Sequence, residues 1–113
     1  NDRIQQIFSW SDFPAGKRPG FISLYFSHTD SYGHQYGPDS DEIKEAIQEM
    51  DRTIGLLIAG LKSRDIFNKV NIMLVSDHGM ASIHPDSIIY LDDYIKMDDV
   101  YMVDWTPISA ISS

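Results

Sequence analysis

Apolar residues recur at helical spacing in two stretches of this chain. Ile4, Ile7, Phe8 and Trp10 predict a short amphipathic helix over residues 2–12. Ile43, Ile47, Met50, Ile54, Leu57, Ile58 and Leu61 predict a long one over about 40–64. Asp39 is the expected N-cap of the long helix, with Glu42 completing a box-like pattern. Asp41, Glu42 and Glu45 near its start, and Lys62 and Arg64 near its end, suit the helix dipole. Gly55 and Gly60 weaken such a helix, and close packing against a sheet is the expected reason.

Two continuous apolar runs read differently. Phe21–Phe26 and Val70–Val75 predict buried strands, apolar on both faces. Residues 13–20, with two prolines and two glycines, predict a turn-rich connector before the first of them. Strand, long helix, strand is the pattern of parallel strands joined by a right-handed crossover. The expected fold class is therefore α/β. Beyond residue 80 the pattern is weaker. Residues 87–95 allow a helical turn or a short strand, and Val100–Val103 and Ile108–Ile111 are candidate short strands.

Each apolar run is followed by an acidic-histidine cluster. Asp30-Ser31-Tyr32-Gly33-His34 follows the first, and Ser76-Asp77-His78-Gly79-Met80 the second. In an open parallel sheet, ligands gather beyond the carboxyl ends of the strands. Asp30, His34, Asp77 and His78 are expected to converge in one such crevice. Carboxylates and imidazoles together suit a divalent first-row metal, zinc first. The plainer reading is that Asp77-His78-Gly79 is a turn shaped by Asp and Gly. His28 and His84 are weaker ligand candidates, His84 because it precedes Pro85 in a polar loop. Tyr32 and Tyr36 fit loop packing or a site rim equally well. Lys17-Arg18 reads as a solvated turn, and Trp10 and Trp105 as core anchors.

Composition narrows the partners. With 113 residues, 42% apolar and 23% charged, the chain is long enough for one modest core. Its formal net charge of -8 repels a phosphate backbone, which argues against polymeric nucleic acid but not against a small phosphorylated substrate held by metal ions. No cysteine is present, so neither a disulfide framework nor a thiolate metal site exists here. No apolar run reaches the roughly 20 residues of a membrane span. The opening Asn1-Asp2-Arg3, without Met or a signal stretch, suggests a segment of something longer.

Three stretches carry a family likeness: "RPGFISLYFSHTDSYGHQYGPDS", "MDRTIGLLIAGLK" and "VNIMLVSDHGM". In this order they resemble the catalytic domain of nucleotide pyrophosphatases/phosphodiesterases, in the alkaline phosphatase superfamily. Ser-Asp-His-Gly-Met together with Gly-His-x-x-Gly-Pro argues against the phosphomonoesterase and mutase branches. The likeness runs from Lys17 to Met80 and loosens beyond residue 85. It implies that residues 1–113 are a single segment of a larger catalytic domain, with a partial alkaline-phosphatase-like three-layer fold.

By the same resemblance, Asp30 and His34 are ligands of one zinc, and Asp77 and His78 of a second. Tyr25 matches an aromatic position lining the nucleotide or head-group pocket, although a strand residue packed in the core is the competing reading. The nucleophilic Thr and its Asp partner are expected upstream of residue 1, and the last His ligand beyond residue 113. The implied reaction is in-line displacement at phosphorus between two zinc ions about 4 Å apart, through a covalent intermediate on that Thr. Implied substrates are nucleotide-like phosphodiesters or pyrophosphates, with a choline-phospholipid phosphodiesterase as the variant. The segment alone is expected to be inactive. The implied location of the longer protein is extracellular, periplasmic or at the cell surface.

Overall fold

A computed structural model describes residues 2–104 and 110–112. The chain divides into two compact units, Asn1–Ser82 and Ile83–Ser113. Helices and strands are both present, so the class is mixed α/β.

The first unit holds three helices. α1 (Asp2–Ser11) and α3 (Asp41–Lys62) form where the apolar periodicity places them. Ile4 and Ile7 of α1 meet Leu57 and Leu61 of α3, and Ile66 closes the cluster. Ile4 is the most deeply buried large side chain, at 2% exposure. Phe8, Ile22, Leu24, Phe26 and Phe67 pack around this core. Cations cover its aromatic edge: the Arg64 guanidinium lies 4.4 Å from the Phe8 ring centre and that of Arg3 5.6 Å from Phe26. Arg64 also pairs with Asp12 at 2.8 Å, which fastens the end of α1 to the end of α3.

The start of α3 differs from expectation. The N-cap is Ser40, whose Oγ accepts from the Ile43 N–H at 3.2 Å. With the cap one residue later, Glu42 no longer occupies the third helical position that a capping box requires. At the other end, Asp65 takes a left-handed φ of 54°, and the Ile66 N–H reaches back to the Leu61 carbonyl at 3.2 Å. That wrapped C-terminus delivers Ile66 into the core. Gly60 does admit a close neighbour, but it is α1 rather than a sheet: a Cβ there would overlap the Phe8 ring. Gly55 faces open space. Of the predicted stripe, Ile43, Leu57 and Leu61 are buried, whereas Ile47 is 54% exposed.

The two predicted buried strands are the main difference. Neither 21–26 nor 70–75 forms a hydrogen-bonded ladder among the described residues. Residues 21–26 alternate instead: Ile22, Leu24 and Phe26 turn to the core, and Phe21 and Tyr25 turn out. Residues 70–75 are exposed throughout, Val75 reaching 89%. A strand is defined by its neighbours, and these segments have no paired neighbour here.

The second unit contains three short 3-10 turns, Pro85–Ser87, Leu91–Asp93 and Met97–Asp99. Helical turns thus prevail over a strand in residues 87–95. Strand β1 (Tyr101–Asp104) pairs antiparallel with β2 (Ala110–Ser112), with Tyr101 opposite Ser112 and an irregularity between Met102 and Asp104. Trp105 and Ile108, read as a core anchor and a strand start, lie outside the described residues.

Candidate metal centre

The first acidic-histidine cluster lies on a helix, not in a loop. α2 (His28–Tyr36) places Asp30 and His34 four residues apart, hence on one face. His28, Tyr32 and Tyr36 share another face, offset by two residues, or about 200° at 3.6 residues per turn. Their rings stack with centres 4.5 and 5.5 Å apart. Tyr32 and Tyr36 therefore lie on the side of α2 away from Asp30, with Tyr36 45% exposed. His28 Nε2 meets Glu49 Oε2 at 3.1 Å and ties α2 to α3. Gly37, at φ 91°, ends α2 by sending its N–H back to the Gly33 carbonyl.

The second cluster is a loop that hydrogen-bonds to itself. Ser76 Oγ donates to the His78 carbonyl. The His78 N–H donates to Asp77 Oδ1 at 3.1 Å. His78 Nδ1 lies 2.8 Å from the Gly79 carbonyl. A carbonyl only accepts, so Nδ1 carries the proton in this contact, and Nε2 is the nitrogen turned toward the Asp30 and Asp77 carboxylates. The His78 imidazole is held above its ordinary pKa, first by this bond to Gly79, then by Asp77, with Asp30 adding less and desolvation opposing.

These two clusters meet at one atom. Asp30 Oδ1 lies 3.4 Å from His34 Nε2 and 3.5 Å from His78 Nε2. It is shut off from solvent and has no hydrogen-bond partner. Leaving a buried oxygen unsatisfied costs about 1–3 kcal/mol. A carboxylate oxygen and two imidazole nitrogens are donors of the kind that zinc takes, so the chemistry of the set fits such a metal. Among the described residues, however, no group of three or more His, Asp or Glu side chains is arranged around a common point as an ion's ligands would be. Asp77 Oδ2 stands 3.8 Å from His78 Nε2.

Tyr25 does not pack in the core. It is 61% exposed, while its carbonyl accepts a hydrogen bond from Arg3. With Arg3, Trp10 and Ile22 it lines a groove of about 350 Å³, which none of the four acidic-histidine residues enters. His84 caps its own turn, Nδ1 accepting from the Asp86 N–H at 3.3 Å. Arg18 clasps the connector through the Phe13 carbonyl at 2.8 Å, as a turn residue does. The pattern missed α2 because that helix has no apolar stripe. The i, i+4 spacings of Asp30 with His34, and of His28 with Tyr32 and Tyr36, were the available signals.

Comparison with known proteins agrees with the motif text. The profile of the type I phosphodiesterase / nucleotide pyrophosphatase family matches residues 1–113. Venom phosphodiesterase 2 of Crotalus adamanteus is 44% identical over 100 residues, which cover 88% of this chain and 12% of that protein. The bovine ectonucleotide pyrophosphatase/phosphodiesterase family member 3 is 43% identical over 101 residues, 89% of this chain and again 12% of the relative. Among solved structures, an inactive variant of murine ectonucleotide pyrophosphatase/phosphodiesterase 5 in complex with AMP superimposes with a TM-score of 0.78 at 34% identity. That match covers 97% of this chain and 29% of the murine chain.

Proposed function

Because the chain belongs to the type I phosphodiesterase / nucleotide pyrophosphatase family of hydrolases, we propose that it is one segment of a catalytic domain that hydrolyses phosphodiester or pyrophosphate bonds of nucleotide-like substrates. The single observation that carries this reading is the match of the family profile to residues 1–113, and the approach of His34 and His78 to the unpartnered Asp30 Oδ1 is in keeping with it.

In this proposal Asp30 and His34 hold one zinc ion, and Asp77 and His78 hold a second. Bound zinc supplies positive charge against the phosphoryl oxygens and lowers the pKa of a coordinated hydroxyl or water. The chain's own residues set the stage for that chemistry. The Nδ1 bond to Gly79 fixes the His78 tautomer so that Nε2 is free to ligate. The i, i+4 spacing on α2 aims Asp30 and His34 the same way. The outward Tyr25 ring offers an apolar face to a nucleobase or head group. The attacking group is a Thr of the longer protein, and it forms the covalent intermediate.

The fold reading follows the same logic. In the longer protein, 21–26 and 70–75 are parallel strands of an alkaline-phosphatase-like sheet, with α3 as their crossover. Their exposed faces, among them Phe21 at 83% and Met73 at 84%, are then covered by neighbouring strands and helices. No helix among the described residues is long and apolar enough to cross a membrane. The venom and ectonucleotide relatives support an extracellular or cell-surface location.

A nitrophenyl phosphodiester of a nucleoside tests the proposal. The longer protein should hydrolyse it in a zinc-dependent way, and the 113-residue chain should not. A longer protein that is inactive when supplied with zinc, or equally active after exhaustive chelation, would overturn it. A panel containing a choline phosphodiester decides between nucleotide and lipid head groups.

A further inference from the structure

Gly33 sits between Asp30 and His34 on α2 and is buried. A Cβ placed on it would lie 3.0 Å from Met80 Cε, 3.5 Å from Cγ and 3.7 Å from Sδ. The Met80 side chain is therefore laid along the bare backbone of α2, in the turn that carries both residues of the first cluster. Met80 is also the second residue after His78. The hydrogen bonds described for the 76–79 loop all stay within it, so they shape the loop without anchoring it to α2. The nearest hydrogen-bond tether, Ser82 Oγ to Asp39 Oδ2, is long at 3.4 Å and reaches the start of α3 instead.

From this geometry we propose that Met80 is a positioning residue: by seating on Gly33, it holds the 77–79 loop against α2 and sets the 3.5 Å approach of His78 Nε2 to Asp30 Oδ1. Glycine at 33 is the counterpart of the device. A side chain there would crowd the Met80 methyl, Cε at 3.0 Å, and oblige it to shift. Methionine suits the task because its unbranched, soft chain can follow a helix backbone. The metal-binding part of the proposal rests on the zinc reading above, whereas the placement of the loop does not.

The test uses the 113-residue chain with Met80→Ala, Met80→Leu, Gly33→Ala and the double variant Gly33→Ala/Met80→Ala. Two quantities are read. The first, without metal, is the nuclear Overhauser contact between the His78 ring and the Asp30 β protons. The second is zinc affinity by competition with a chromophoric chelator. Met80→Ala should lose the contact and weaken zinc binding by about 10- to 100-fold, the range for residues that orient ligands. Its far-UV circular dichroism should keep the α1 and α3 signal. Met80→Leu, close in volume, should restore most of both readouts. Gly33→Ala should add little once Met80 is alanine, because the two changes break one contact. Met80→Ala with the His78–Asp30 contact intact would overturn the proposal, as would additive effects of the two substitutions. A wild-type chain that shows the contact but binds no zinc would count against the metal reading alone. The loss or survival of the contact in Met80→Ala then still decides the role of Met80.

Discussion

Asp30 Oδ1 and His78 Nε2 face each other across 3.5 Å, and the carboxylate oxygen is buried with no hydrogen-bond donor. Two groups distant in sequence thus meet at a point that is uncomfortable without a cation. That relationship separates the demands of stability from those of binding.

Substituting Asp30→Asn keeps the shape and removes the charge. An amide can also donate to an imidazole nitrogen, which the carboxylate cannot. In the metal-free chain we expect stability to hold or rise, by up to about 1 kcal/mol, as a buried unsatisfied oxygen is relieved. Added zinc should stabilise the wild-type chain with the logarithm of its excess over the dissociation constant, and the variant far less. Urea unfolding with and without zinc measures both. A variant that is less stable yet equally responsive to zinc would contradict the assignment.

The two glycines of α3 should respond oppositely. Gly55→Ala meets nothing and improves helix propensity, so a gain of about 0.5–1 kcal/mol is expected. Gly60→Ala must displace the Phe8 ring, and overpacking costs typically 1–3 kcal/mol, more than the propensity gained. Thermal unfolding of both variants, compared with the parent chain, reads the sign directly.

Ser40, not Asp39, caps α3. Ser40→Ala should cost about 1 kcal/mol, the ordinary value of a lost N-cap. Asp39→Ala should cost much less, since its described bond is the long one from Ser82. Equal losses in urea unfolding would reassign the cap.

Acid should loosen the joint between α1 and α3. The hydrogen bond from Arg64 is the main cause that holds the Asp12 carboxyl below its ordinary value of 3.8, with the charges of Arg64 and Arg18 adding and desolvation opposing. A carboxyl depressed in the folded state binds its proton more tightly when unfolded. Its contribution is therefore complete above the unfolded pKa and is lost as pH falls through the folded one. The window lies below about pH 4. Stability measured in steps of pH should show the gap between wild type and Asp12→Asn closing in that window, and a gap that persists at pH 2 would exclude this pair as its source.

The sequence made some of this structure readable and concealed the rest for physical reasons. α1 and α3 were legible because each buries one face, which leaves a 3.6-residue rhythm. α2 was concealed because its contacts are between polar and aromatic groups, ring pairs four residues apart and an ion pair from His28 to Glu49, which hydropathy does not register. Ser40 and Asp39 are both good caps by composition, and only the reach of a side chain to Ile43 chooses between them. The convergence of Asp30, His34 and His78 could be read from two motifs at the ends of apolar runs. Their division into separate pairs came from the family resemblance alone, and the contacts at Asp30 Oδ1, which faces both His34 and His78, do not express it. Residues 21–26 and 70–75 keep the composition of buried strands, but pairing depends on neighbours that no local pattern encodes.

α3 has different neighbours along its length. Its 22 residues span about 33 Å at 1.5 Å per residue. Leu57 and Leu61 belong to the core with α1, whereas α2 is tied nearer the other end, through His28 and Glu49. Amide exchange should therefore read two different neighbours along a single helix. Both halves bury side chains, Ile43 and Ala46 in the first and Leu57 and Leu61 in the last, so protection in the first half should report the seat of α2 and protection in the last half the seat of α1. The turn bearing Asp30 and His34 rides on the half that buries Ile43 and Ala46, so the seat of the first cluster can be followed by exchange separately from the core around Ile4.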